Sequence, residues 1–242
     1  MTASGKTPPV MVLAAGLGTR MRPLTDTVPK PLIKVAGQTM LDRVLDTFKR
    51  AGTQKAVINT HYLAEQIEAH SIARKGAPDI ALSPEIGERL ETGGGVARAL
   101  PLLDDVFFTT NSDSFWVGDE SAIPSMKEVF DPSMMDMLLL LAPRQRSIGM
   151  GDHPGDFALV DDGTLVRRGH LPVPYNYTGT AIMSAGLFTD LPEGAFSLNI
   201  LFDRAIARRR LYGYILQGLW LTVGTPKAIS EAESALKEAG QT

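Results

Sequence analysis

The 242-residue sequence predicts an α/β protein with a mostly parallel central sheet, helices on both of its faces, and added antiparallel strands in the second half. Three observations predict this class. Short apolar runs alternate with helix-period segments from Val10 to Ala142, the rhythm of strands joined by crossover helices. The first apolar run feeds a glycine-rich, cation-bearing stretch, residues 13–31, reading L-A-A-G-L-G-T-R-M-R-P-L-T-D-T-V-P-K-P. After Pro143 the rhythm gives way to a hairpin signal.

Each element has its own warrant. The apolar run 10–14 is a buried first strand. Residues 40–51 have helical periodicity, with Thr39 as N-cap and Gly52 as the stop. A strand at 55–59, a helix at 63–73 and a third strand at 80–84 follow. Residues 95–102 are helical and end near Pro101, and 106–111 is a fourth strand running out at Asp113. A helix at 122–130 precedes the apolar strand 134–142, whose Met134, Met135 and Met137 are expected to fill the core beneath the sheet. Strands 157–160 and 165–168 flank Asp161-Asp162-Gly163-Thr164, with Asp-Gly at the turn. A strand at 177–183, a helix at 199–208 around Ala205 and a strand at 211–216 come next. Thr225 and Pro226 read as N-cap and first-turn residues of a closing helix that ends near Ala239. Residues 1–9, polar and ending in proline, are expected to be a mobile tail, and 10–242 a single domain without internal repeats.

Composition excludes several function classes. The formal net charge of −3 leaves no basic field for nucleic acid. Positive charge is local, in the 20–30 loop and in residues 208–210, read as a solvated helix end. Without cysteine there is no disulfide or thiolate metal site, which fits a reducing compartment. The apolar runs are too short for a signal peptide or a membrane span, so the expected location is the cytoplasm. His61 and His70 have no partner histidine or cysteine that would suggest zinc.

The 13–31 stretch carries the chemistry. Glycines let backbone N–H groups approach a ligand closely, and Arg20, Arg22 and Lys30 beside them suit phosphate oxygens. The stretch lacks the glycine spacing of a dinucleotide fingerprint and the G-K-[ST] ending of a Walker A loop. L-A-A-G-x-G-T-R-M-x-P-L-T followed by P-K-P resembles the N-terminal signature of the sugar-1-phosphate nucleotidyltransferases. That resemblance implies a Rossmann-like, GT-A-like fold and the joining of a nucleoside triphosphate to a sugar 1-phosphate with release of pyrophosphate. It implies that Leu13, Ala14, Ala15, Gly16, Gly18 and Thr19 bind the nucleotide. Arg20 on the pyrophosphate side and Lys30 at the α-phosphate would be the catalytic cations, with Arg22 a supporting charge. Residues 10–142 would form mainly the nucleotide half and 143–242 mainly the sugar half.

Three further segments match the same family. Leu90-Glu91-Thr92-Gly93-Gly94-Gly95 resembles its base-reading L-x-T-G-G-G segment, with Thr92, Gly93 and Gly94 at the nucleotide and Glu85, in Ser83-Pro84-Glu85, near the base. Asn111-Ser112-Asp113 stands where the family shows N-G-D, which implies Asn111 at the nucleotide and Asp113 as a ligand of Mg²⁺. Trp220-Leu221-Thr222-Val223-Gly224-Thr225 matches W-x-D-x-G-T except that Thr222 replaces the second metal carboxylate. Weaker metal binding, a substitute such as Asp156, or lost catalysis all remain open from that change.

The segment His153-Pro154-Gly155-Asp156-Phe157 resembles bacterial enzymes that uridylylate N-acetylmuramic acid α-1-phosphate in cell-wall recycling. Asp156, Tyr177 and Gly179 would then contact the sugar. GTP with mannose 1-phosphate is the alternative substrate pair, and a nucleotide or nucleotide-sugar binding protein without turnover is the alternative of another class. The oligomeric state, monomer or dimer, is open.

Overall fold

The computed structural model describes residues 6–241. Strand β1, Val10–Leu13, leads into three 3₁₀ turns, at Thr19–Met21, Leu24–Asp26 and Lys30–Leu32. A short ribbon, β2 (Lys34–Val35) and β3 (Gln38–Thr39), precedes α1 (Met40–Arg50). Then come β4 (Lys55–Thr60), α2 (Ala64–Ala73), β5 (Asp79–Pro84), α3 (Glu91–Ala99), β6 (Val106–Asn111), β7 (Ser114–Val117) and α4 (Ala122–Val129). The second half holds β8 (Met137–Pro143), β9 (Ser147–Ile148), β10 (Phe157–Leu159), β11 (Leu165–Arg167) and β12 (Tyr175–Ser184). It closes with α5 (Asn199–Ala207), β13 (Leu211–Ile215), β14 (Leu219–Thr222) and α6 (Pro226–Glu238).

The main sheet begins with parallel neighbours β5-β4-β1-β6. Antiparallel β12 pairs with β6 and β8, β13 lies parallel to β8, and the β10–β11 hairpin joins the start of β12. Side chains alternate across the sheet, and both faces are apolar because both are covered. Val10, Val12, Phe108, Leu138 and Leu140 face α1, α2 and α4. Met11, Phe107, Leu139 and Leu141 face α3 and α5. Each such side chain contributes about 1.5–3 kcal/mol when buried. The helix starts follow their caps: the Thr39 hydroxyl accepts the Asp42 N–H at 3.0 Å, and the Thr225 hydroxyl accepts the Ala228 N–H at 3.3 Å with Pro226 in the first turn.

Several expectations need correction. Thr7 pairs with Thr53, and the Pro9 carbonyl accepts the Phe108 N–H at 2.9 Å, so residues 7–9 are anchored to the sheet; residues 1–5 lie outside the described residues. Strand β8 starts at Met137, and Met134 is 54% exposed in the preceding turn, where the Asp131 carbonyl accepts its N–H, so it fills no core. Helix α3 starts at Glu91, four residues before the expected start at 95, so Gly93 and Gly94 also lie inside it. Residues 208–210 are not merely solvated: Arg210 grips Asp136 at 2.5 Å and donates to the carbonyls of Pro132 and Ser133, while Arg209 pairs with Asp162.

A second, three-stranded sheet, β7-β14-β9, has no counterpart in the sequence reading. Its strands are two to four residues long and sit beside motifs, too short for a period to stand out. It packs Phe115, Leu221 and Val223 against α6. Its register sets Thr222 opposite Ser114, and the Asp113 carbonyl accepts the Val223 N–H at 2.9 Å.

Candidate active site

Strand order locates the site. The chain runs from β1 outward to β4 and β5, then returns to β6 on the other side of β1, so the order reverses between β1 and β6. Ligands of open α/β sheets lie at such a point, outside the carboxyl ends of the strands. A cavity of about 380 Å³ opens there, in the size range of small-molecule sites.

The glycine-rich loop forms its floor. Leu13, Ala14, Ala15, Gly16, Gly18, Thr19 and Arg20 all line it. Among the described residues, the N–H groups of Ala15, Gly16, Leu17 and Gly18 donate to no protein acceptor, which makes the loop a nest of free donors. Gly18 is left-handed, with φ of +64°, and an added Cβ would stand 2.8 Å from the Thr25 methyl and 3.1 Å from Lys30 Cβ. Glycine there is what lets the loop close onto the segment that carries Lys30.

The charged groups come from three elements. Lys30, at the start of a 3₁₀ turn between Pro29 and Pro31, reaches Asp113 past the end of β6, with Nζ 2.5 Å from Oδ2. Asp113 Oδ1 accepts no hydrogen bond among the described residues. The Arg20 guanidinium packs over Gly224, where an added Cβ would lie 3.4 Å from Nη1, and makes no hydrogen bond or ion pair among the described residues. Arg22 lies apart from the cavity, exposed and paired with Asp26 at 3.2 Å.

The other predicted residues divide into those in the cavity and those behind it. Thr92 and Asn111 line it. Glu85 is 4% exposed and stands behind the wall, accepting from Asn59 Nδ2 at 2.6 Å and from the Leu90 N–H at 2.7 Å. Gly93 and Gly94 are buried, both donating their N–H groups to the Phe196 carbonyl. Their glycine identity serves packing: a Cβ on Gly93 would stand 2.4 Å from the Phe196 ring, and one on Gly94 2.3 Å from the Gly194 carbonyl oxygen. Gly93→Ala is therefore expected to overpack this contact by roughly 1–3 kcal/mol, lowering Tm by several degrees in a thermal melt; an unchanged Tm refutes the packing account.

The sugar candidates lie along β12. Gly179, with φ of +86°, sits against the Asn111 amide, where a Cβ would fall 2.3 Å from Nδ2. Asp156 and Tyr177 open into a separate hollow of about 220 Å³ beside α5, and Asp156 Oδ2 accepts the Tyr177 N–H at 2.9 Å. Tyr177 packs edge-on against Phe202, and burial pushes its phenol above the usual phenol pKa, offset in part by the Thr109 hydroxyl. Thr222 does not line the main cavity; its neighbour Gly224 does. Asn59, Arg89, Glu91 and Gly224 line the cavity without having been assigned a role from sequence. For Asn59 the available signal was a polar residue ending an otherwise apolar strand.

A sheet whose reversal point carries a nest of free N–H groups, three cations (Arg20, Lys30 and Arg89) and two carboxylates (Glu91 and Asp113) has the donors and charges to hold a polyphosphate with a divalent ion. Comparison with known proteins gives the class its family. A nucleotidyl transferase family model matches residues 9–127. An N-acetylmuramate alpha-1-phosphate uridylyltransferase of Caulobacter vibrioides is 44% identical, over 95% of this chain and 97% of that one. One of Neisseria meningitidis serogroup B is 34% identical, over 93% and 96%. The crystal structure of a UDP-glucose pyrophosphorylase complexed with UDP-glucose superposes with a TM-score of 0.77 at 14% identity, over 96% of this chain and 99% of that one, which shows the fold. The chain belongs to the nucleotidyltransferase family and is a sugar-1-phosphate nucleotidyltransferase. Family membership favours turnover over the binding-only alternative.

The family generally uses a divalent metal cation. The donors present fit a hard ion held mainly by substrate phosphates: Asp113 offers one carboxylate oxygen free of hydrogen bonds, on the cavity wall. Among the described residues no cluster of three or more histidine or acidic side chains could hold an ion without the substrate. No helix of the described residues is long and apolar enough to cross a membrane.

Proposed function

We propose that the chain transfers a uridylyl group from UTP to N-acetylmuramic acid α-1-phosphate, releasing pyrophosphate, with Mg²⁺ as the divalent ion. The observation that carries this substrate pair is the near-complete match to two relatives named for that activity, at 44% and 34% identity. GTP with mannose 1-phosphate is the weaker reading, since neither relative is named for it.

In the reaction, a phosphate oxygen of the sugar 1-phosphate attacks the α-phosphorus of the triphosphate in line. The bond from that phosphorus to the bridging oxygen breaks, and its electron pair leaves on pyrophosphate. The nucleophile is already an anion, so no protein base is needed; the work is positioning and charge stabilisation. The free N–H groups of residues 15–18 receive the triphosphate oxygens. Arg20, over Gly224, meets the departing pyrophosphate, and Lys30 meets the α-phosphate. Asp113 would hold Mg²⁺, which supplies charge neutralisation on the phosphates when bound. In this reading Asn111, Gly179, Asp156 and Tyr177 run from the nucleotide half toward the sugar half.

A pyrophosphate-release screen over four nucleoside triphosphates and several sugar 1-phosphates tests the substrates. Turnover is expected to be highest with UTP and N-acetylmuramic acid α-1-phosphate, and no turnover with any UTP pair would reject the proposal. Thr222→Asp tests the metal side. The variant puts a carboxylate opposite Ser114, the residue after Asp113, and one strand residue before the Val223 N–H that donates to the Asp113 carbonyl. Half-maximal turnover is expected at a Mg²⁺ concentration lower by roughly tenfold, about the effect of one added carboxylate oxygen ligand. An unchanged Mg²⁺ titration would show that position 222 does not reach the ion.

A further inference from the structure

We infer that Asn59 is a positioning residue for nucleobase selection, acting with Glu85 as a buried clamp that holds the two backbone segments at the base end of the cavity. The inference rests on the nucleotidyl-transfer reading. Phosphate-directed groups, Lys30 and Asp113, cluster on the β6 side of β1, so the base belongs on the β4 side, where Asn59, Arg89, Glu91 and Thr92 line the wall.

Asn59 is 2% exposed at the end of β4 and uses both ends of its amide. Oδ1 accepts the Ala14 N–H at 2.7 Å, fixing the chain where it leaves β1 for the glycine-rich loop. Nδ2 donates to Glu85 Oε1 at 2.6 Å, and Glu85 Oε2 accepts the Leu90 N–H at 2.7 Å. That second bond holds the residue before Glu91, which is left-handed at φ of +57° and opens α3 at the rim. Gly95 lies flat on the pair: its Cβ would fall 2.7 Å from Glu85 Oε1 and 2.8 Å from Asn59 Nδ2. The clamp thus sets the spacing between residues 14–15 and 89–92. Hydrogen-bond readout from backbone groups depends on that spacing, and small misplacements of such groups are costly.

The test is a polarity swap, read on the full chain. Asn59→Asp faces Glu85 with a second carboxylate, and Glu85→Gln cannot serve Asn59 Nδ2 and the Leu90 N–H at once. The double variant N59D/E85Q restores all three bonds with the donor and acceptor exchanged: the new amide at position 85 donates to the new carboxylate at position 59. Each single variant is expected to raise KM for the nucleoside triphosphate and to cut the kcat/KM preference for the parent's best base about tenfold or more, with the sugar-phosphate KM unchanged; the double variant recovers the preference. Lower Tm with an unchanged base preference and nucleotide KM in both singles overturns the inference, as does a double variant that folds without regaining the preference. Preference is taken against whichever base the parent selects, so an error in the choice of UTP leaves the test intact. Should N59D fail to fold, E85Q and the double variant carry it.

Discussion

Lys30→Ala is expected to lower kcat by on the order of a hundredfold or more, in the range of losing one preorganised charge at a phosphoryl centre. Lys30 is aimed by its surroundings: Pro29 and Pro31 restrict the backbone on either side, Gly18 lets the loop close against Lys30 Cβ, and Nζ rests 2.5 Å from Asp113. A cation held that way needs little reorganisation to meet charge developing on the α-phosphate. Lys30→Arg keeps the charge but replaces a compact point by a planar fork, and should recover only part of the rate. Steady-state kcat and KM for both substrates, with a thermal melt alongside, check this. Near-parental kcat in Lys30→Ala would remove the lysine from the chemistry, whatever happened to its pairing with Asp113.

Asp113→Asn is expected to cost more, about a thousandfold in kcat at ordinary Mg²⁺, since stabilisation by a bound ion amounts to several kcal/mol and each ~1.4 kcal/mol is tenfold. The reason for so large an effect is that, with threonine at 222, Asp113 is the one carboxylate lining the Lys30 end of the cavity among the described residues, with only one carboxylate oxygen unengaged. Asparagine is a near-isostere and can still accept from Lys30, so the variant separates metal binding from the fold. Raising the Mg²⁺ concentration should restore part of the rate. A parental Mg²⁺ titration and kcat in Asp113→Asn would mean the ion is held elsewhere.

The rhythm of strands and helices was readable because burial on both sheet faces writes itself as apolar runs. Val10–Leu13, Val106–Asn111 and the Asp-Gly hairpin at 157–167 stand where composition puts them. The short strands Ser114–Val117 and Leu219–Thr222 were not readable, since each exists only through its partner across the sheet. Met134 illustrates the same limit: an apolar run extends N-terminally to it, but the turn at Asp131 leaves its side chain in solvent. The glycines at 93–95 were legible as special and illegible as to cause. Their neighbours, Phe196, Gly194 and the Asn59–Glu85 pair, come from distant parts of the chain.

By itself the sequence determined the phosphate loop and the fold class. Both are set by consecutive residues: glycines that free the backbone, cations beside them, and an alternation that local propensity and burial enforce. Only the tertiary structure decided that Lys30 meets Asp113 across 83 positions, that Asn59 spends its amide on Ala14 and Glu85, and that Thr222 lies opposite Ser114, with the next residue, Val223, hydrogen-bonded to Asp113. Those contacts depend on which strands lie next to one another, and strand order arises from packing the whole sheet between its helices, which no single stretch of chain encodes.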